Sequence, residues 1–389
     1  MEKSSYSLTD LVLYFLKLGT FGFGGPVALV GYMHRDLVEG KKWLTEDEYK
    51  EGLALAQLAP GPLAAQLGIY IGFVHYRLLG ATLAGLAFVL PSFIMVVLLG
   101  MAYKVYSGLP RMQAVFYGVG AAVIGIISIS AYKLTEKSVG KFNTSSLKSN
   151  WILWLFYLIA VIITVITKRE EVLLFVACGL VYMFIKAPPG WFKKPATLSL
   201  LLTGIGFWEY ESSVLSEIAL FFTKAGAFVF GSGLAIVPFL HAGVVQEFKW
   251  LTEAQFVDSV AVAMITPGPV VITVGFIGYL VAGFPGASVA ALATFLPCYL
   301  FTVLLAPSFK KIAHNKSIKA FVDGITAAVI GALVGSVIII ATRSIIDIPT
   351  ALISLASVLA LIYIKKLQEP HVIIIAAVVG IIIKSLIRS

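Results

Sequence analysis

The chain has 389 residues, of which 59% are hydrophobic and only 13% charged, with a net charge of +9. A soluble domain carries about 25% charged residues, so this composition excludes a water-soluble enzyme, a nucleic-acid-binding domain and a disordered chain. It predicts an all-α polytopic membrane protein, because its apolar runs reach the length of about 20 residues that crosses about 30 Å of hydrocarbon. Barrel strands would instead alternate over about ten residues.

In chain order, apolar segments read over 8–33, 52–76, 78–103, 112–132, 151–167, 171–186, 214–240, 254–281, 286–306, 318–341, 349–364 and 371–387, with a weaker one near 197–208. Polar connectors over 133–150, 187–196 and 307–317 interrupt them. Glu2 beside Lys3, and an apolar stretch that runs into glycines, argue against a cleaved signal peptide. Cys178 and Cys298 sit in separate apolar runs and supply neither a metal site nor a disulfide framework. No cofactor motif is present.

An internal repeat dominates the chain. Residues 15–68 align with 222–275 without a gap. Lys42-Trp43-Leu44-Thr45-Glu46 recurs as Lys249-Trp250-Leu251-Thr252-Glu253, and Pro60-Gly61-Pro62 recurs as Pro267-Gly268-Pro269. One deletion later, Pro91 matches Pro297 and Ala121–Gly125 recurs as Ala327–Gly331. Shared apolar composition does not generate matched blocks of this kind. The expected organisation is a first repeat core over 1–150, connecting transmembrane helices and a linker over 151–213, a second core over 214–343, and C-terminal transmembrane helices over 344–389.

Connectors 34–50 and 133–150 each hold four Lys or Arg in the first half, whereas in the second half the four gather in 307–319. Because basic loops stay on the cytoplasmic side, this exchange predicts two inverted repeats, the build of many transporters whose site lies at the repeat interface.

Each half carries two interruptions, which predict two broken or re-entrant helices per repeat. The first is Gly22-Phe23-Gly24-Gly25-Pro26, matched by Gly231-Ser232-Gly233; glycine opens the backbone and Pro26 suits the first turn of a restarting helix. The second is the Pro-Gly-Pro at 60–62 and at 267–269, where two prolines remove donors and disfavour helix before them. An open backbone at membrane depth must line a cavity or be buried in protein. Thr45 with Glu48, and Thr252 with Gln255, predict capping boxes that start the segments feeding these breaks. A helix restarting within the membrane offers free N–H groups and a partial positive charge, which suits an anion.

Candidate binding positions are therefore Gly24, Gly25, Pro26, Pro60, Gly61, Pro62, Gly231, Ser232, Gly233, Pro267, Gly268 and Pro269, with Gln57 beside the second break. Lys17 and Lys224 lie seven residues before the glycine breaks among apolar neighbours; they either face the site or snorkel to the headgroups. His34 and His241 occupy matched positions and either exchange protons or mark the membrane edge. No catalytic set appears, and Gly22–Gly25 is no dinucleotide fingerprint because no strand precedes it.

Phe23-Gly24-Gly25-Pro26, Lys42–Glu46, Ala56–Pro62, Gln66–Gly72 and Pro91-Ser92 together resemble the motif series of the chromate ion transporter family in its long, two-domain form. The resemblance covers nearly the whole chain. It implies export of chromate, with sulfate as the related oxyanion, across the inner (plasma) membrane, and motif positions at Gly24, Gly25, Pro26, Pro60, Gly61 and Pro62. The second half departs from the motif, with Ser232 and Gly233 where the first has Gly25 and Pro26. The expectation is a secondary transporter working by alternating access on chromate or a sulfate-like oxyanion. A channel or a sulfate transporter on the same scaffold is the alternative. Its partners are the anion and the lipid bilayer, without nucleic acid, and transporters of this build often pair as homodimers.

Overall fold

The computed structural model describes residues 6–168, 171–189, 213–228, 230–231, 233–309, 315–364 and 367–388. The weak segment 197–208 and Ser232 lie outside them.

Helix α1 (Leu8–Phe21) starts at a capping box between Ser7 and Asp10 and stops at Gly22. Gly24 (φ +104°) and Gly25 (φ +72°) reverse the chain, and α2 (Gly25–Met33) begins with Pro26 in its first turn. The reversal is a hairpin: a Cβ on Gly22 would overlap Leu29, and the Tyr14 hydroxyl reaches the Asp36 carboxylate at 3.4 Å. Beyond α2 the helix widens over His34–Gly40, where the Lys41 N–H bonds to the Asp36 carbonyl five residues back. Lys42 turns left-handed (φ +53°), so that the N–H groups of Trp43 and Leu44 both reach the Leu37 carbonyl.

The expected Thr45–Glu48 box opens α3 (Glu46–Leu58). The backbone then unwinds through Ala59 and a two-residue strand β1 (Gly61–Pro62) before α4 (Leu63–Tyr106). Here too the chain doubles back, since Gly52 packs under the Tyr70 ring and the Glu48 carboxylate lies 3.4 Å from His75. Pro60-Gly61-Pro62 is thus the tip of a second helical hairpin. As a straight rod, α4 with its 44 residues would span about 66 Å, far beyond a bilayer. It folds at Arg77 (φ 52°, ψ −142°), and Gly72 and Gly80 let the two arms touch backbone to backbone.

The second half repeats this plan, through α9 (Val214–Ala227), strand β2 (Phe230–Gly231), a tight turn at Gly233–Ile236, α10 (Val237–His241), α11 (Glu253–Ile265) and α12 (Thr273–Leu305). Lys249 copies the left-handed φ of Lys42, Trp250 and Leu251 both bond to the Val244 carbonyl, and the Thr252–Gln255 box opens α11. α12 folds at Ala282–Gly283, with Gly278 against Gly286.

Long helices α5 (Pro110–Ser138) and α13 (Lys316–Ser344) each receive a helix pair. α7 (Trp151–Thr167) and α8 (Val172–Lys186) pack on α13; α14 (Ile348–Tyr363) and α15 (Glu369–Arg388) pack on α5. Matched glycines seat them: Gly331 meets Tyr157 and Gly125 meets Ser354. The polar connector at 133–150 is more ordered than expected, because α5 runs to Ser138 and a short α6 (Thr144–Ser149) follows.

The outer arms of α4 and α12 run antiparallel, with Thr82 bonded to Tyr299 (2.8 Å) and, further along α4, the Phe93 ring against Phe284 (centroids 6.3 Å apart) just past the α12 fold. Among the described residues five helices are long and apolar enough to cross a membrane. Exposed leucines such as Leu86, Leu90, Leu292 and Leu296 clothe the outside, as in a multi-pass membrane protein.

Small residues let helices approach within the bilayer. Gly19 and its counterpart Gly226 are such points, since a Cβ would run into the backbone of Phe88 and Thr294 respectively. Gly19→Ala and Gly226→Ala are each expected to destabilise the purified protein by about 1–3 kcal/mol through overpacking. Thermal unfolding followed by tryptophan fluorescence checks this, with Gly31→Ala as a control, because nothing lies within 4 Å of a Cβ there.

Candidate functional site

The four interruptions meet in two links, each joining one half to the other. Gly61 and Pro62 pair in parallel with Phe230 and Gly231. The Gly268 N–H donates to the Gly22 carbonyl at 2.9 Å. Each proline tip therefore bonds the glycine tip of the opposite half. Unwound backbone away from water must find such partners.

Side chains brace the links. The Ser92 hydroxyl donates to the Pro267 carbonyl at 2.8 Å, and a Cβ on Gly268, which sits at φ +94°, would overlap that hydroxyl. Cys298, the counterpart of Ser92, lies against Gly61. Gln66 is fully buried and donates through Nε2 to the Pro60 carbonyl at 2.8 Å, while its Oε1 has no partner among the described residues. Thr273, at the matching position, bonds the Val270 carbonyl instead.

The predicted positions separate into two groups. Gly61, Pro62, Pro267, Gly268 and Pro269 are buried at the crossing with Pro60 at its edge; Gly231 pairs there too, and Gly233 packs against Val270 and Val271. Gly24, Gly25 and Pro26 lie outside this knot, half-exposed, with the Gln368 and Glu369 side chains near the two glycines. Gln57 is exposed. The first turn of α4 is buried beside the crossing, and its N-cap Pro62 has no side chain to cap the free amides of that turn.

Beside the crossing opens a cavity of about 1010 Å³, lined by Lys17, Gly22, Phe23, Arg35 and Lys41, with Tyr14, Tyr32 and Trp43 as its aromatic wall; Asp10 and Asp36 line it too, and Asp36 pairs with Arg35 at 2.8 Å. Lys17 is thus one helical turn from the Gly22 link and in the same cavity. Lys224, exposed on α9 as Lys17 is on α1, does not line that cavity.

The matched histidines have matched carboxylate partners. His34 Nε2 lies 3.0 Å from Glu46, and His241 Nε2 lies 2.7 Å from Glu253. Hydrogen bonds from His34 and then Lys50 hold the Glu46 carboxyl below its ordinary range. These glutamates close the repeated Lys-Trp-Leu-Thr-Glu block, so the equal spacing from each histidine was a signal open to sequence reading. His241 is buried while His34 is partly open, and Arg343 joins Glu253 only in the second half.

The Gly268–Ser92 contact can be tested by a mutant cycle. Gly268→Ala is expected to destabilise the protein by about 1–3 kcal/mol, through overlap and a left-handed φ. Adding Ser92→Gly should recover part of that loss, whereas Ser92→Gly alone costs about 1 kcal/mol for the lost hydrogen bond. Unfolding midpoints of the three variants report the coupling.

The sequence profile described as chromate transporter matches residues 9–183 and 216–381, so each match runs on through the helix pairs α7–α8 and α14–α15. The chain is 61% identical to the chromate transport protein of Cupriavidus metallidurans, over 97% of this chain and 94% of that one. It is 57% identical to the probable chromate transport protein of Synechococcus elongatus, covering 97% and 96%, and 28% identical to the chromate transport protein of Pseudomonas aeruginosa, covering 95% and 91%. No solved structure matches. A full-length match in two halves, on a helical chain with several apolar spans, makes this a multi-pass inner-membrane protein that belongs to the chromate transporter family.

Proposed function

We propose that the protein exports chromate by alternating access, with the paired hairpin tips as the barrier between two facing half-channels. The observation that carries this reading is the double link between opposite halves, Gly22 to Gly268 and Gly61 to Phe230, with a cavity that reaches Gly22 from one side. A second cavity of about 520 Å³ opens by Tyr103, Ser107 and Arg343. Trp43, on the first cavity, stacks with Tyr6, whose hydroxyl bonds His75 beside the Arg77 fold (2.7 Å). The two cavities therefore lie at opposite ends of the outer arm of α4.

In this reading the repeats are inverted and their first four helical segments are re-entrant hairpins. The antiparallel arms of α4 and α12, the reversal between α1 and α2, and the doubled-back packing of α3 on α4 support it. The repeats take in the helix pairs as well, over about 8–186 and 213–388, in keeping with the matched glycine seats.

Lys17, Arg35 and Lys41 draw the anion into the first cavity. The amides at the tips then take over its oxygens as the links part, a donor set suited to a divalent tetrahedral oxyanion. These donors match chromate and sulfate alike, so sulfate is expected to compete. An inside-negative potential favours a leaving anion by about 2.3 kcal/mol per charge per 100 mV, enough to drive export of a dianion. The buried, mutually bonded tips favour a transporter over an open channel.

Labelled chromate flux in proteoliposomes, with sulfate as competitor, tests the proposal. Lys17→Ala is expected to lower flux at subsaturating chromate by about tenfold, equivalent to about 1.4 kcal/mol of lost attraction. Lys224→Ala, outside that cavity, should have a smaller effect. Unchanged flux in Lys17→Ala at equal reconstitution removes this lysine from the path.

A further inference from the structure

Helix α11 carries a carboxylate that neither the repeat motifs nor the transport reading uses. Asp258 is only 6% exposed, and its Oδ2 accepts a hydrogen bond from the Tyr103 hydroxyl at 2.7 Å. Among the described residues no cation stands within 4 Å of it. The carboxylate borders the second cavity, which connects it to water at the end of the molecule away from Lys17. A buried carboxylate without a cation favours its neutral form, and a water-filled cavity is the route by which the proton arrives and leaves.

We propose that Asp258, supported by Tyr103, is the proton-binding site through which the protein exchanges a proton for its oxyanion. The step is a protonation only: a hydronium in the cavity gives its proton to the Asp258 carboxylate, and the neutral acid returns it to water on the other side after the conformational change. No other bond is made or broken. Because the Lys17 cavity and the Asp258 cavity open at opposite ends, anion and proton meet the protein from opposite sides.

The position of Asp258 on α11 gives the coupling a path. It lies two turns, about 12 Å, before the Thr266-Pro267 end of the helix, and the next residue, Gly268, bonds Gly22 across the crossing. A charge gained or lost at Asp258 thus acts on the helix whose tip holds the barrier shut.

The groups facing the site on each element packed against it are specific. Tyr103 comes from α4 and Tyr117 from α5, the latter bonded to Asp347 (2.6 Å) at the cap of α14 and lying under Lys384 of α15. α11 itself adds Glu253, which is already engaged by His241, Gln246 and Arg343 of α13. α12 meets the Tyr103 ring with Phe276. The positive charge of Arg343 is therefore spent on Glu253 at the mouth rather than on Asp258 within. The pair joins the two halves, Tyr103 from the first and Asp258 from the second; at the symmetry-related position stand Glu51 of the first half and Phe309 of the second, so that position lacks the phenol.

The inference rests on the transport reading, and its test separates the two. Chromate uptake into proteoliposomes is measured with and without an imposed pH gradient, holding constant the pH on the loading side so that the substrate's own protonation does not change. The wild type should accumulate chromate about tenfold per pH unit at one proton per anion. Asp258→Asn should abolish the response to the gradient. Tyr103→Phe, which keeps the ring packing, should move the midpoint of the pH profile upward, because it removes a hydrogen bond that favours the charged carboxylate. Infrared titration of the protonated carboxyl band, in wild type against Asp258→Asn, reads the same site with no substrate present. A gradient response that survives Asp258→Asn, or an infrared titration unaltered by it, overturns the proposal. Chromate flux that ignores the gradient in the wild type also overturns it, yet leaves the transport reading standing. Absence of any oxyanion flux fails the transport reading instead, and the infrared result still decides whether Asp258 binds a proton.

Discussion

A backbone that unwinds away from water leaves N–H and C=O groups unbonded, and each such group costs several kcal/mol in hydrocarbon. This protein unwinds where its glycine and proline tips come together, and it meets the cost by lending each proline tip to the glycine tip of the other half. The rest of the architecture follows from that exchange. The hairpins have to be short enough to end at the same depth. The folds at Arg77 and Gly283 return the chain for a full crossing, and Ser92 and Cys298 come from the returning arms to brace the opposite tip. In the transport cycle we propose, this shared link parts as the halves move and so serves as the gate.

The two halves share a scaffold but not a chemistry. Both lysines are exposed, but Lys17 lines the aromatic-walled cavity beside Gly22, whereas its counterpart Lys224 lines neither that cavity nor the one at Tyr103. Asp258 of the second half meets Tyr103 of the first, whereas the symmetry-related position holds Glu51 and Phe309. Duplication supplies the symmetric hinge, and divergence places an anion-attracting surface at one end and a carboxylate at the other. In the proposed cycle the matched tips serve both directions of movement, and the differing cavities set what is carried.

Much of this was legible in the residues, because prolines, glycines and caps act locally. The Pro-Gly-Pro breaks, the Gly22–Pro26 restart and both capping boxes stand where the sequence placed them. Shared register predicted the repeat, and it extends to the left-handed Lys42 and Lys249, which periodicity cannot reveal. The pairing of tips was not legible, since it depends on which half each hairpin faces, and no local propensity encodes that. α5 continues past its apolar stretch because Tyr132 with Glu136, and Thr135 with the Ala131 carbonyl, sustain helix in polar sequence. Matched spacing left open whether Lys17 and Lys224 face the site or the headgroups. Spacing along α1 and α9 does not determine which way each hairpin turns its face.

The pairing of tips has a readout at a single atom. Pro267 and Pro269 have no amide hydrogen, so the only exchangeable backbone proton in that tip belongs to Gly268, and hydrogen–deuterium exchange of a peptide spanning it reports the bond to Gly22 directly. The account predicts strong protection of this amide in the resting protein, close to that of the buried helices, and faster exchange during chromate turnover. Exchange of the Gly268 amide at the rate of an open loop in the resting protein would contradict it.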